Sequence, residues 1–299
     1  MMIKNVYLLL VGILLISFTA CKKSDNPGKG SGNVTDTTKT TGKNVPSGAG
    51  DGVTFINSGK SAIFNIYAPG KKTMYLIGDF NSWSKTATPM TKTTDGTRFW
   101  VQVDNLDPNT EYAYQYYIDN SITVADPYSH KILDPNNDQY ISASVYPNLK
   151  AYPTGKTTGI VTVTEANPPA YTWQVTNFTR PDPKKLVIYE LLVRDFVGTH
   201  SYQTLTDTLN YIARLGVNAI ELMPVSEFEG NDSWGYNSNF MFALDKYYGT
   251  PNDYKAFIDA CHARGIAVIM DMVLEDQFGS SPMVRMYATS SSPSAGPSA

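Results

Sequence analysis

Cysteine and histidine are scarce in this chain, with 2 of the first and 3 of the second among 299 residues. The two cysteines, Cys21 and Cys261, leave no internal disulfide to staple the fold if Cys21 carries a lipid, as read below. Charge of one sign is missing too. Lys and Arg number 24 against 27 Asp and Glu, a net of −3, which supplies no electrostatic footprint for nucleic acid. Nor is there an apolar stretch long enough to span a bilayer. The run from Val6 to Phe18 falls short of the roughly 20 residues that a spanning helix needs. Tyrosine, by contrast, is plentiful at 20. Aromatic, weakly charged proteins suit sugar binding, because pyranose faces stack on rings, although a Tyr-rich β domain needs no ligand to explain it. The length gives room for roughly two domains.

The short apolar run has the proportions of a signal-peptide core, and residues 1–20 read as a signal peptide. Cys21, directly after "FTA", resembles the first residue of a lipobox. The expected mature protein is exported and anchored to a membrane through lipid on Cys21, at the outer membrane or cell surface. Residues 21–51 are Gly, Ser, Thr, Lys and Asn with little to bury, a flexible tether.

From residue 52 to 150 short segments alternate apolar and polar residues, as in "SAIFNIY", "TMYLIGDF" and "EYAYQYYID". Turn formers at Pro69-Gly70, Asp95-Gly96 and Asp107-Pro108-Asn109 separate them, and this spacing predicts an immunoglobulin-like β-sandwich. Residues 151–185, rich in Pro and Thr, read as a connector wrapping along a neighbour. From 186 to 288 the texture changes to strand, helix, strand, helix, strand: "LVIYELLV", "TLTDTLNYIARLG", "VNAIELMPV", "TPNDYKAFIDACHARG" and "IAVIMDMVL". Thr250, Pro251 and Asp253 mark the start of the second helix and Gly265 its end. Cys261 falls on that helix's apolar face, where a small buried hydrophobe is expected. The alternation opens a parallel α/β architecture. Residues 289–299, "TSSSPSAGPSA" from Thr289, form a low-complexity tail.

Two kinds of resemblance rest on these blocks. "GDFNSW" at 78–83 and "ADPYS" at 125–129 resemble carbohydrate-binding module family 48, the early-set immunoglobulin-like domain of starch-active enzymes. Trp83 is there a candidate for stacking on a glucan, or else a plug of the sandwich. "YELLVRDF", "LGVNAIELMPVSEFEGNDSWGYN", "YYGTPNDYKAFIDACHARGIAVIMDMV" and "FGSSPM" are similar to glycoside hydrolase family 13, the α-amylase family. That similarity implies a (β/α)8 barrel acting with retention on α-glucosidic bonds of starch- or glycogen-like glucans, and an α-glucan polysaccharide or oligosaccharide as partner. It assigns substrate binding to Tyr236, with Trp234 beside it, and a structural active-site carboxylate to Asp271.

The same resemblance marks departures. Where the family keeps Asn and His, this chain has Glu275 and Asp276. Complete members hold calcium with help from that Asn. A glutamate oxygen suits a hard cation, but no metal site is assigned here. An ionised Asp276 offers no donor to a sugar hydroxyl and adds negative charge. Glu227, Glu229 and Asp232 are expected to be solvated loop charges. The nucleophile and acid/base belong to later strands of the family, beyond Ala299, so no catalytic residue is assigned. The expectation is a truncated, catalytically incompetent relative, with a cell-surface glucan-binding lipoprotein as the alternative. Three parallel strands cannot close a barrel, so exposed apolar edges and trimming back to the sandwich are also expected.

Overall fold

The computed structural model describes residues 44–275 and 277–288. The signal peptide, Cys21, Asp276 and the terminal tail lie outside the described residues.

The first module is built from nine strands in chain order: β1 (Gly52–Ile56), β2 (Ser61–Tyr67), β3 (Met74–Gly78), β4 (Thr91–Lys92), β5 (Arg98–Asp104), β6 (Tyr112–Ile118), β7 (Ile122–Val124), β8 (Ile132–Leu133) and β9 (Val161–Thr164). They pair as two antiparallel sheets, β1-β2-β5-β4 and β3-β6-β9-β8, with β7 also on β6. Phe64, Ile66, Leu76, Phe99, Tyr114 and Tyr116 fill the space between them, each at most 1% exposed. Alternating β-branched and aromatic residues fit this pleated, two-sheet packing. Strand β9 corrects one boundary. It lies inside the stretch read as a connector, yet Val161 and Val163 are buried and the strand is hydrogen-bonded between β6 and β8. Four residues of period-2 pattern within Pro- and Thr-rich sequence are easily passed over.

The two motifs in this module are structural knots. Asp79 accepts from the Trp83 indole N–H at 3.1 Å and from the Ala113 amide at 2.9 Å. Asn81 ties Gly78, Leu76 and Thr88 together. A side chain on Gly78 would lie 2.5 Å from the Ala113 carbonyl oxygen, so this position needs glycine for closeness. In "ADPYS", Asp126 is fully buried and accepts from the hydroxyls of Tyr114 and Tyr116 and the amide of Tyr128, at 2.7–2.8 Å. Burial pushes its carboxyl upward against those bonds.

Beyond the sandwich, three strands, β10 (Ile188–Leu191), β11 (Ala219–Leu222) and β14 (Ala267–Met270), form a parallel sheet in that order. A short helix α1 (Val193–Phe196) and the longer α2 (Tyr202–Arg214) and α3 (Pro251–His262) accompany them. Ser201 caps α2. Thr250 and Asp253 form a reciprocal capping box at α3, with Pro251 in the first turn. Leu205, Leu209, Ile212, Phe257 and Cys261 are fully buried against Ile220 and Leu222. The Cys261 thiol is pushed up to about 12 by burial, which makes it an inert core residue. The connector does run along α3: Asp259 accepts from the Tyr171 hydroxyl and the amides of Gln174 and Val175, and Phe178 stacks on His262 at 3.9 Å.

Between β11 and α3 the chain makes an antiparallel hairpin, β12 (Ser226–Phe228) and β13 (Ser238–Leu244), with register shifts after Ser226 and Glu227. It joins the modules, since Phe240 and Ala243 pack on Ala125, Ile132 and Ile160. A last helix, α4 (Pro282–Tyr287), also reaches the sandwich. Met286 enters the sandwich core, the Lys71 ammonium donates to its carbonyl, and the Tyr287 hydroxyl donates to that of Pro69 at 3.2 Å. No helix among the described residues is long and apolar enough to cross a membrane.

Candidate functional site

The parallel strands end, at their C-terminal side, where a barrel collects its chemistry. The loop after β11 folds back as the β12–β13 hairpin, whose tip is residues 229–237. Gly235 lets it turn. Its φ is +91°, and a Cβ there would sit 2.4 Å from the Pro224 carbonyl oxygen. Arg194, just after β10, holds the tip by donating to the Asp232 carboxylate and to the Ser233 carbonyl (3.1 Å), while its Nε donates to Asp195 at 2.8 Å. Glu229 binds the other side, accepting from the Ser280 amide and hydroxyl and from Asn239. That tie draws the segment after β14 onto the hairpin.

The result is an aromatic surface. Trp234, Tyr236 and Phe278 are 63%, 41% and 49% exposed and, with Ser233 and Asn237, line an open concavity of about 340 Å3. Large aromatics exposed together are a binding signal that single exposed residues are not. The Tyr236 hydroxyl donates to Asp271 Oδ2 at 2.7 Å, which fixes the ring. Asp271 as acceptor, then burial, then the charges of Asp271, Glu190 and Glu221 push the phenol up to about 12. Tyr236 therefore stays a neutral stacking face with its proton aimed at the carboxylate.

Of the residues singled out from sequence, the structure brings Trp234, Tyr236 and Asp271 together. Asp271 is half-buried and Glu275 exposed. No group of three or more His, Cys, Asp or Glu side chains among the described residues is placed to hold a metal ion. Trp83 is a correction. It is 6% exposed, packed with Ile77, Leu133 and Val161 and pinned through its indole N–H. A buried ring has no face to offer a sugar, so Trp83 plugs the sandwich.

Glu227 is a second correction. It is no solvated loop charge: with its side chain 8% exposed, it accepts from the ammonium and amide of Lys246. Lys246, itself 3% exposed, also faces Asp138 of the sandwich at 3.2 Å. Burial alone lowers the ammonium's affinity for its proton, but Glu227 and then Asp138 raise it overall. Burial pushes Asp245, next in sequence, well upward, and the Glu227 charge adds to this. Asp232 does stand in solvent, 96% exposed, though paired with Arg194. Glu229 is bonded as described.

Glu190 and Glu221 escaped the sequence reading. They stand opposite each other in the β10–β11 register, on the face away from the helices, since Leu191 and Leu222 belong to the core behind. Period-2 alternation within "IYEL" and "AIEL" was the signal available.

Residues 52–129 match the carbohydrate-binding module 48 (isoamylase N-terminal domain), and residues 177–290 match the α-amylase catalytic domain. The chain is thus similar to the N-terminal portion of an α-amylase-family protein. Within glycoside hydrolase family 13, its relatives include the malto-oligosyltrehalose trehalohydrolase of Brevibacterium helvolum, 29% identical over 224 residues, which cover 74% of this chain and 33% of that protein. The 1,4-alpha-glucan branching enzyme GlgB of Oceanobacillus iheyensis is 30% identical over 228 residues, 72% of this chain and 33% of the enzyme. Among solved structures, the GBS pullulanase SAP in complex with maltotetraose superposes with a TM-score of 0.56 at 21% identity, covering 75% of this chain and 33% of that one. The catalytic module of the pneumococcal glycogen-degrading factor SpuA gives 0.56 at 20%, covering 75% and 37%. These last two show the fold. The chain spans about a third of the length of the curated relatives it matches. Its described residues form a family 48 sandwich followed by part of an amylase barrel.

Proposed function

We propose that this chain binds α-glucan chains over the Trp234–Tyr236 surface, as one wall of an α-amylase-family site. The observation that carries the reading is the Tyr236 ring, exposed on one face and anchored through its hydroxyl to Asp271 at 2.7 Å. The relatives' names, a glucan branching enzyme and a pullulanase with bound maltotetraose, support a starch- or glycogen-type ligand and cleavage or transfer of α-glucosidic bonds with retention as the chemistry of the whole protein. Retention needs two carboxyls about 5–5.5 Å apart as nucleophile and acid/base. No described residue takes either position by the family pattern, so binding and not turnover is what the described residues are tested for. The test is migration of the full chain through a native gel containing amylopectin. Retardation that Trp234→Ala and Tyr236→Ala abolish supports the proposal, and unretarded wild type refutes it.

The alternative, a lipoprotein whose sandwich does the binding, loses its candidate platform with Trp83 in the core. The location belonging to it is kept in the proposal: the apolar run from Val6 to Phe18 and Cys21 support export and attachment to a membrane. Labelling with a radioactive fatty acid checks this, with loss of label in Cys21→Ser as the expected result.

A further inference from the structure

The sandwich sends one turn, residues 134–141, against the root of the aromatic hairpin, and two bonds hold it there. Asp138 Oδ1 faces the buried Lys246 ammonium at 3.2 Å, while its other oxygen accepts from the Asp134 amide at 3.0 Å. The Asn137 carbonyl accepts both from the Asn231 side chain of the hairpin tip, at 3.0 Å, and from the Tyr140 amide, at 3.1 Å. Inside the turn, Asp134 further binds the amide of Asn136 and the side chain of Asn137. The backbone is therefore fixed at both ends and from below. Tyr140, on this mount, is 69% exposed, so its ring contributes little to the core. One shared carbonyl links its backbone to Asn231, three residues before Trp234.

We propose that Tyr140 is a sugar-stacking residue contributed by the sandwich, outside the Trp234–Tyr236 concavity, and that it takes a pyranose ring of an α-glucan chain remote from the ring on Tyr236. The inference rests on the glucan-binding reading above and deepens it. A tyrosine on a locked turn is suited to this, because only two side-chain torsions remain to be ordered when a ligand lands. Its hydroxyl is free to reach a sugar hydroxyl, but the stacking face supplies the affinity. Such a residue meets only chains long enough to run from the hairpin tip onto the sandwich, so it sets a length preference rather than a requirement for binding. Asp138 and Asn137 act through it as positioning residues.

The experiment titrates the full chain with maltotriose and with maltoheptaose by isothermal calorimetry, for wild type, Tyr140→Ala, Tyr140→Phe and Trp234→Ala. The expected result is an affinity for maltoheptaose about tenfold weaker in Tyr140→Ala, the size of a lost aromatic contact, with maltotriose unchanged and Tyr140→Phe close to wild type. Equal melting temperatures for Tyr140→Ala and wild type confirm that the exposed substitution leaves the fold intact. If Tyr140→Ala binds maltoheptaose as wild type does while Trp234→Ala has lost it, this inference falls and the glucan-binding reading stands. If both oligosaccharides weaken together in Tyr140→Ala, the remote placement is wrong. If wild type binds neither, both readings fall.

Discussion

Removing the Lys246 ammonium is the severest single change that the structure offers away from the aromatic surface. Its side chain is 3% exposed and faces Glu227 and Asp138, themselves 8% and 13% exposed, with Asp245 beside them. At 3.2 Å and an effective dielectric of about 20, one such pair attracts by about 5 kcal/mol before desolvation is subtracted. The desolvation of ammonium and carboxylates consumes much of that in the wild type, which is why a buried pair is a weak source of net stability. In Lys246→Met the balance is different. The carboxylates stay buried, their counter-charge is gone, and the loss is about 3–5 kcal/mol. For a body of this size each kcal/mol is worth roughly 2–4 °C, so the melting temperature should fall by about 6–20 °C. Differential scanning calorimetry at neutral pH reads this directly. Because the charges are buried, the fall should be nearly the same at low and high salt. Adding Glu227→Gln to Lys246→Met should recover part of it, since one stranded charge is removed. A fall of under about 2 °C, or one that vanishes in salt, refutes the reasoning, because it would mean that these charges are hydrated.

Trp83→Ala should cost about 3–5 kcal/mol, the usual loss for a large aromatic cut from a core, while the folded variant keeps wild-type retention in amylopectin gels. Trp234→Ala should do the reverse, and a Trp83→Phe variant that is stable but unretarded would contradict the buried assignment. The Tyr236 phenol is pushed up to about 12, first because it donates a hydrogen bond to Asp271, so Asp271→Asn should bring one phenol to lower pH in a near-ultraviolet titration; an unchanged curve would show the bond absent in solution. The Asp95 carboxyl is held at about 2, below 3.8, by the Thr93 hydroxyl and then the Thr97 amide and hydroxyl. A depressed folded value stabilises above the unfolded one and is lost as pH falls from 3.8 toward 2. Asp95→Asn should therefore lower the melting temperature near neutral pH and leave it unchanged in strong acid, and an offset that persists in acid would rule out this cause.

The architecture was legible wherever a local rule operates alone. Thr250 with Asp253, Pro251 and the apolar face of α3 are all local, and α3 begins where they place it. The family blocks extend that legibility to the parallel sheet; they name Tyr236 and Asp271 separately, and the bond between them is seen only in the structure. Charges were harder. Glu227 and Asp232 lie five residues apart in one polar stretch. Only the long-range approach of Lys246 and Asp138 makes the first a buried partner while the second stays in water. Trp83 stood open between platform and plug, because its burial depends on Leu133 and Val161 arriving from distant strands. Strand β9 hid for a similar reason, since its pairing partners, not its own short pattern, make it a strand.

Helix α4 gives the two modules a shared history. The sandwich's strands are all made by residue 164, yet its packing is completed by Met286, and the Lys71 bond to that residue's carbonyl closes a span of 215 positions. During synthesis the sandwich therefore emerges with a vacant berth on its flank, which stays open until the three strands of the second module have been made. Contacts of such separation are slow to form. The module that comes first in the gene is thus among the last to be sealed, and a cut between residues 164 and 226 should yield two pieces that stay together through both the hairpin and α4.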